Sequence, residues 1–294
     1  MKATTSKNYR QRLRLVIDYI YNHLDGDLSV NTLADIAMMS PYHFHRIYRE
    51  LAQETVNATV RRLRLQQAAV ELIRSELSLS DIATKLSYGS LEAFSRAFTK
   101  QFGESPSEYR EAKSHSQVIK EQPFVAMLPI EKTRLYKMFE IEMMNLEEMT
   151  VATYSHQGDY MEIGAVFEKL FMYGVSQGLA SADTRSFGLY YDDPLSVKKD
   201  QLRSKACATI PADTVLKGDD APEKTTIPAG RYATLLFKGS YAELEKPYNW
   251  LFGEWLPNSG FEAADFPPME EYLNDPKETP PNELLTRIYC LLAD

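Results

Sequence analysis

Two groups of residues have types and spacings suited to chemistry. Glu270 and Tyr272 stand two apart in MEEYLNDP, so they share one face if that run is a strand. A lone carboxylate buried beside aromatic rings is costly without a partner. The ligand that relieves that cost is a cation, or a strong hydrogen-bond donor, that also stacks on Tyr, Trp or Phe. Trp250 and Trp255, on or just after a helical stretch in the same half, are candidate walls. One sequence does not fix strand register, and in the other register Glu271 faces inward instead. The second group is built on arginine. Arg46 and Arg96 each lie in a short helical run that follows a serine. An arginine presented by such a helix can pair bidentately with guanine O6 and N7 in a major groove.

The elements that position the arginines form a repeat. LADIAMMSPYHFHRIYREL (33–51) matches IATKLSYGSLEAFSRAFTKQF (82–102), with Ala34 on Ala83, Ser40 on Ser90, Phe44 on Phe94 and Arg46 on Arg96. Each copy reads as a short helix, a tight turn, a serine at the N-cap and a second helix. Phe44, Ile47 and Tyr48 in one copy, and Phe94, Ala97 and Phe98 in the other, make the core-facing stripes. The opposite faces carry Tyr42, His45, Arg46 and Arg49, then Glu92, Ser95, Arg96 and Thr99. Glu92 suits either a bond from cytosine N4 or an i,i+4 pair with Arg96. Between the copies, Val56 to about Ser75 reads as one helix of roughly 30 Å. That is close to the ~34 Å turn of DNA, so two helices can enter successive major grooves of double-stranded DNA. Arg10, Arg12, Arg14, Arg61, Arg62 and Arg64 are candidates for phosphate contact. His43 and His45 have no third ligand or CxxC nearby, so neither metal nor cofactor is expected.

A second repeat positions Glu270. YSHQGDYMEIGAVFEKLF (154–171) matches LLFKGSYAELEKPYNWLF (235–252), and GLYYDDP (188–194) matches EEYLNDP (270–276). Each copy reads as strand, glycine turn, helix and further strands, which pack pseudosymmetrically about a cleft. Tyr160 pairs with Tyr241 and Tyr190 with Tyr272, whereas Gly188 stands where the second copy has Glu270. Tyr160 and Tyr190 are therefore assigned to the cleft, and repeat-related packing also suits Tyr160 and Tyr241.

Charge divides at the same boundary. The net charge of −8 over 294 residues separates into +3 for residues 1–113 and −11 for the rest. The periodicity divides there too, helical before it and β-rich after it in VATYSH, FGLYY, KACATI, YATLLFKG and RIYCLL. Two domains follow: residues 1–112, all-α with a double helix-turn-helix; a polar linker, 113–122; and residues 123–294, an α+β pseudosymmetric duplicated β-α-β-β unit. Pro41 and Pro106 each follow a serine and suit first helical positions. No apolar run is long enough to span a membrane, and the first residues lack a signal-peptide core. Cys207 and Cys290, each in an apolar run, exclude a disulfide framework and fit the cytoplasm.

From Tyr9 to Arg110 the chain resembles the AraC/XylS family of transcription regulators. The motifs are SPYHFHRIYREL, RRLRLQQAAVEL and FSRAFTKQFGESPSEYR, the last with Phe98, Phe102, Gly103, Pro106 and Tyr109. The resemblance implies base contacts from Tyr42, His45, Arg46, Leu91, Glu92, Ser95 and Arg96, and an activator that engages RNA polymerase. The family usually has glycine in each turn, where this chain has Met38 and Ser87. From Phe139 to Leu292 the chain resembles GyrI-like effector-binding domains, through HQGDYMEIG, GLYYDDP, AGRYATLLFKGSYAEL, WLPNSGFEAADFPPMEEYLNDP and ELLTRIYCLL. That resemblance implies a small-molecule effector, often a lipophilic cation, with Glu270 as its carboxylate. The family often has an aromatic residue just before that glutamate; here it is Met269, which implies an altered pocket wall. Some relatives are hydrolases that use a glutamate and a tyrosine. An enzyme acting through Glu270 and Tyr272 is thus one alternative, although no GxSxG elbow or metal cluster supports it, and an acidic protein-interaction module is another. The leading expectation is a DNA-binding, effector-responsive regulator and no enzyme.

Overall fold

The computed structural model describes residues 2–113 and 139–293. Seven helices form the first half: α1 (Lys2–Asn22), α2 (Val30–Ile36), α3 (Pro41–Ala52), α4 (Val56–Arg74), α5 (Leu79–Lys85), α6 (Leu91–Phe102) and α7 (Pro106–Lys113). Pro41 and Pro106 open α3 and α7, where the missing N–H costs nothing. The two turns keep their shape without glycine, because Met38 (φ 51°) and Ser87 (φ 61°) themselves adopt the left-handed conformation. Phe44, Ile47, Tyr48, Phe94 and Phe98 are buried in the core as their spacing predicts. Of the linker expected over 113–122, Lys113 ends α7, and residues 114–122 lie outside the described residues, as does the stretch 123–138.

The second half holds β1 (Ile141–Leu146), β2 (Met149–Gln157), α8 (Gly164–Ser176), β3 (Ser186–Tyr190), β4 (Arg203–Thr209), β5 (Glu223–Ile227), β6 (Gly230–Lys238), α9 (Glu245–Trp250), α10 (Leu256–Ser259), β7 (Met269–Tyr272) and β8 (Leu285–Leu291). A π-helical turn, Leu251–Trp255, joins α9 to α10. The strands make one antiparallel sheet in the order β1-β6-β8-β7-β3-β4-β2-β5. The repeat is real, but the β-α-β-β unit lacks a strand per copy. β1 leads into β2 yet pairs with β6, and β5 leads into β6 yet pairs with β2. Both are edge strands; β5 (EKTTI) is mostly polar and exposed, and β1 (IEMMNL) has adjacent methionines that break a strict alternation, so neither shows a clear strand pattern in the sequence.

The sheet's centre is the β3–β7 pair, where Gly188 lies directly opposite Glu270. Side chains alternate there. Phe187, Leu189 and Met269 enter a cluster with Val151, Cys207, Ile227, Tyr232 and Tyr289 on one face. Tyr190, Glu270 and Tyr272 meet side chains from α8, α9 and their leading turns on the other. A single hydrophobic core then runs from Leu13, Phe44 and Ile47 of the helical half into Tyr248, Leu251, Phe252 and Leu256 of the second. Among the described residues no helix is long and apolar enough to cross a membrane.

Candidate functional site

Glu270 lies at the sheet's centre, only 5% exposed. Its Oε1 accepts from the Tyr248 hydroxyl at 2.9 Å and its Oε2 from the Tyr272 hydroxyl at 3.0 Å. Tyr272 in turn meets the hydroxyl of its repeat partner Tyr190 at 2.5 Å. The two phenols converge over Gly188, where a Cβ would come within 2.7 Å of Tyr190 and 2.9 Å of the Tyr272 oxygen. Gly188 in the first copy is thus the space that the second copy's tyrosine needs. Tyr160 stands edge-on to Tyr190 at 4.8 Å, and Tyr241 edge-on to Tyr272 at 5.4 Å, so the aromatic lining repeats with the fold. Burial pushes the Glu270 carboxyl up to about 7, against the pull of the Tyr248 and Tyr272 hydroxyls and the charge of Arg46. The same burial pushes Tyr190, Tyr248 and Tyr272 well above the usual phenol range.

The neighbouring carboxylate behaves in the opposite way. Glu271 faces the other side of the sheet, bonded by Arg185 Nε at 2.7 Å and by the Tyr289 hydroxyl at 2.5 Å. Burial disfavours its ionisation, but these bonds outweigh it and hold the group below the usual range. The register therefore puts Glu270 on the side of Tyr190 and Tyr272. Met269, one residue earlier, packs into the cluster on the far face and is not a wall beside Glu270.

The tryptophans also lie elsewhere. Trp250 meets Phe139 edge-on at 5.6 Å, and Trp255 stacks on Phe261 at 6.3 Å. On α9, Trp250 is two residues from Tyr248, which puts it on a different face of the helix. Tyr248 is the wall that the sequence reading missed. Its repeat partner is Phe167, so the copy that gains the carboxylate also gains the hydroxyl that bonds it. Among the described residues no three His, Cys, Asp or Glu side chains are placed to hold a metal ion.

Helix α3 brings the first arginine group to this same region. Arg46 is 4% exposed, with its guanidinium 5.0 Å from the Tyr248 ring centre and 5.6 Å from that of Phe252. Its Nη2 donates to the Asp192 carbonyl and its Nη1 to the Tyr42 carbonyl, each at 3.0 Å. Arg49 donates to both oxygens of Asp193, at 2.8 and 3.0 Å, and to Asn249 at 2.5 Å. Tyr42 meets Tyr191 edge-on at 5.7 Å. His43 stacks on Phe252 at 5.2 Å, and burial with the nearby Arg46 charge pushes its imidazole down to about 3. Burial likewise lowers His45. The helix comes so close that a Cβ on Gly253 would lie 2.6 Å from that of Glu50. The face carrying His45, Arg46 and Arg49, which amphipathicity alone assigns to the outside, is thus covered by the second half of the chain.

Helix α6 presents its counterparts openly. Leu91, Glu92 and Arg96 are exposed and Ser95 is half-buried. Glu92 bonds its own backbone and the Ser90 hydroxyl, which together with the weaker pull of Arg96 hold its carboxyl below the usual range. Of the phosphate candidates, Arg14 and Arg61 are exposed. Others are engaged within the chain: Arg12 with Glu262 at 2.8 and 3.1 Å, Arg64 with the Leu24 carbonyl at 2.9 Å, and Arg62 with Glu54.

With this geometry in place, two family models match the chain. A GyrI-like small molecule binding domain matches residues 139–293, and a helix-turn-helix domain matches residues 33–112. Regulatory protein SoxS of Salmonella typhimurium is 34% identical over 103 residues, which are 35% of this chain and 96% of that protein. The DNA gyrase inhibitor of Erwinia billingiae is 35% identical over 89 residues, 30% of this chain and 57% of its own length. Among solved structures, the EcmrR C-terminal domain is similar with a TM-score of 0.47 at 18% identity, over 53% of this chain and 99% of that one.

Proposed function

The chain belongs to the AraC/XylS family of transcription regulators and carries a GyrI-like small molecule binding domain, and from that premise we propose that its effector is an organic cation held at Glu270. It is a DNA-binding regulator with a small-molecule-binding domain. The observation that carries the effector class is the buried Glu270 carboxylate, bonded among the described residues only by phenols and ringed by Tyr160, Tyr190, Tyr241, Tyr248 and Tyr272. Aromatic faces and one buried negative charge are the chemistry that selects a desolvated cation. Tyr42, His45, Arg46 and Arg49 of α3, with Leu91, Glu92, Ser95 and Arg96 of α6, are the proposed base-reading residues. The regulator acts in the cytoplasm as an activator, through contact with RNA polymerase. A hydrolytic role gains less support, because Glu270 is 5% exposed and each of its oxygens already accepts from a phenol, which leaves it little access to water.

The test is calorimetric titration of the full chain with benzyltriethylammonium. Glu270→Gln keeps the shape and removes the charge. The expected result is at least a tenfold loss of affinity on that change, with DNA retardation intact. Equal affinity in the two proteins, or a preference for the anion 3-phenylpropanoate, overturns the cation reading.

A further inference from the structure

Arg46 is held in an unusual way for a buried arginine. Among the described residues it forms no ion pair; it has two backbone carbonyls and the rings of Tyr248 and Phe252. The hydroxyl of Tyr248 bonds Glu270, so the guanidinium and the carboxylate sit on one tyrosine. The Asp192 carbonyl that Arg46 reaches also accepts from the hydroxyl of Tyr160, which stands on Tyr190. Arg46 therefore touches both copies of the repeat at the aromatic cluster around Glu270. Rings on one side, carbonyls on another and a carboxylate beyond are the surroundings in which an organic cation is bound.

We propose that Arg46 is an internal ligand of the Glu270 site. An organic cation that takes its place against Tyr248 expels the guanidinium, and with it the α3 face carrying Tyr42, His45 and Arg49. The site holds either the effector or the reading helix. Effector binding thus uncovers α3 for DNA, and by linkage DNA held by α3 strengthens effector binding by the same factor. This inference rests on the reading of the Glu270 site as the effector site.

Two variants of the full chain test it by titration with benzyltriethylammonium. Arg46→Ala removes the internal competitor. Arg49→Ala leaves Arg46 and the aromatic site whole and removes the contacts with Asp193 and Asn249, along with a pairing to Glu50 on the same helix. Both are expected to bind the probe about tenfold more tightly than the parent, since the closed form lowers apparent affinity by its share of the population. In the parent, the probe is expected to speed hydrogen exchange in the segments facing α3, 190–196 and 249–255. If the parent binds the probe and both variants match it or bind more weakly, or if exchange in those segments is unchanged or slowed, Arg46 is a structural contact and the inference is overturned while the effector site stands. If neither the parent nor either variant binds the probe, the cation reading of the site falls and this inference falls with it.

Discussion

Helices α3 and α6 have the same length and the same register of matched residues, yet the molecule uses them differently. Ser40 and Ser90 occupy the same N-cap position. Ser90 caps its helix by accepting from the Ala93 N–H at 3.1 Å, whereas the Ser40 hydroxyl turns away to donate to Asp265 at 2.8 Å. Arg96 is exposed, whereas Arg46 is 4% exposed under the second domain. Both cores are filled by the same stripe, Phe44 and Tyr48 in one and Phe94 and Phe98 in the other. The difference lies in what covers the opposite face. Local sequence sets how each helix is built, and a surface 144 or more residues away decides whether its arginines are available. The repeat in the second domain shows the same inequality from the other side. Phe252 lies against α3 and is fully buried, while its repeat partner Phe171 on α8 is 64% exposed.

The largest effect should come from cutting that contact. Phe252→Ala removes the ring that packs on His43 and lies under Arg46, and is expected to cost about 3–5 kcal/mol of unfolding free energy. Phe171→Ala at the repeat-related position should stay within about 0.5 kcal/mol. Guanidinium unfolding of the two variants measures the difference. Equal, small losses would mean that α3 is not held by this surface.

The arginines give a finer version of the same contrast. A double-mutant cycle on Arg49 and Asp193 is expected to yield a coupling of about 2 kcal/mol, because the side chains are 12% and 2% exposed and share a network with Asn249. On α6, Arg96→Ala should change stability by no more than about 0.5 kcal/mol. A coupling near zero would reduce the pairing to a surface ion pair.

Much of this architecture is legible in the sequence, and the illegible part has a common cause. Periodicity within a helix or strand identified α3, α6 and their core stripes. The offset of the second repeat aligned Gly188 with Glu270, which the structure pairs directly across the sheet. Edge strands β1 and β5 carry little alternation to read, β5 because it is nearly all polar and β1 because adjacent methionines interrupt its pattern. Trp250 and Trp255 were chosen for type and nearness, while Tyr248 was identifiable by asking where the two copies differ in hydroxyl content. The covering of α3 was beyond local pattern altogether. Its contacts join Ser40 to Asp265, Arg46 to Asp192 and Arg49 to Asp193, across separations that no periodicity spans.

Acidity separates the proposed effector site at Glu270 from the contact that closes it. Burial raises Glu270 to about 7, so its carboxyl is largely protonated at pH 6 and largely ionised at pH 8. The groups that line it move away from that interval: Tyr160, Tyr190, Tyr241, Tyr248 and Tyr272 are all raised, and His43 is lowered to about 3. Affinity for benzyltriethylammonium should therefore fall about tenfold from pH 8 to pH 6, about 1.4 kcal/mol, and Glu270→Gln should remove that dependence. Stability should run the other way. A carboxyl raised in the folded state contributes stability that is fully present below its ordinary value of 4.5 and is lost as pH rises through about 7. His43, lowered to about 3, contributes stability present above 6.5 and lost as pH falls towards 3. Glu270→Gln leaves the histidine intact, so the difference between parent and variant melting curves isolates the carboxylate. Parallel curves from pH 4.5 to 8 would mean that Glu270 ionises as an ordinary surface acid, and the closed aromatic site would then be too wet to discriminate a cation.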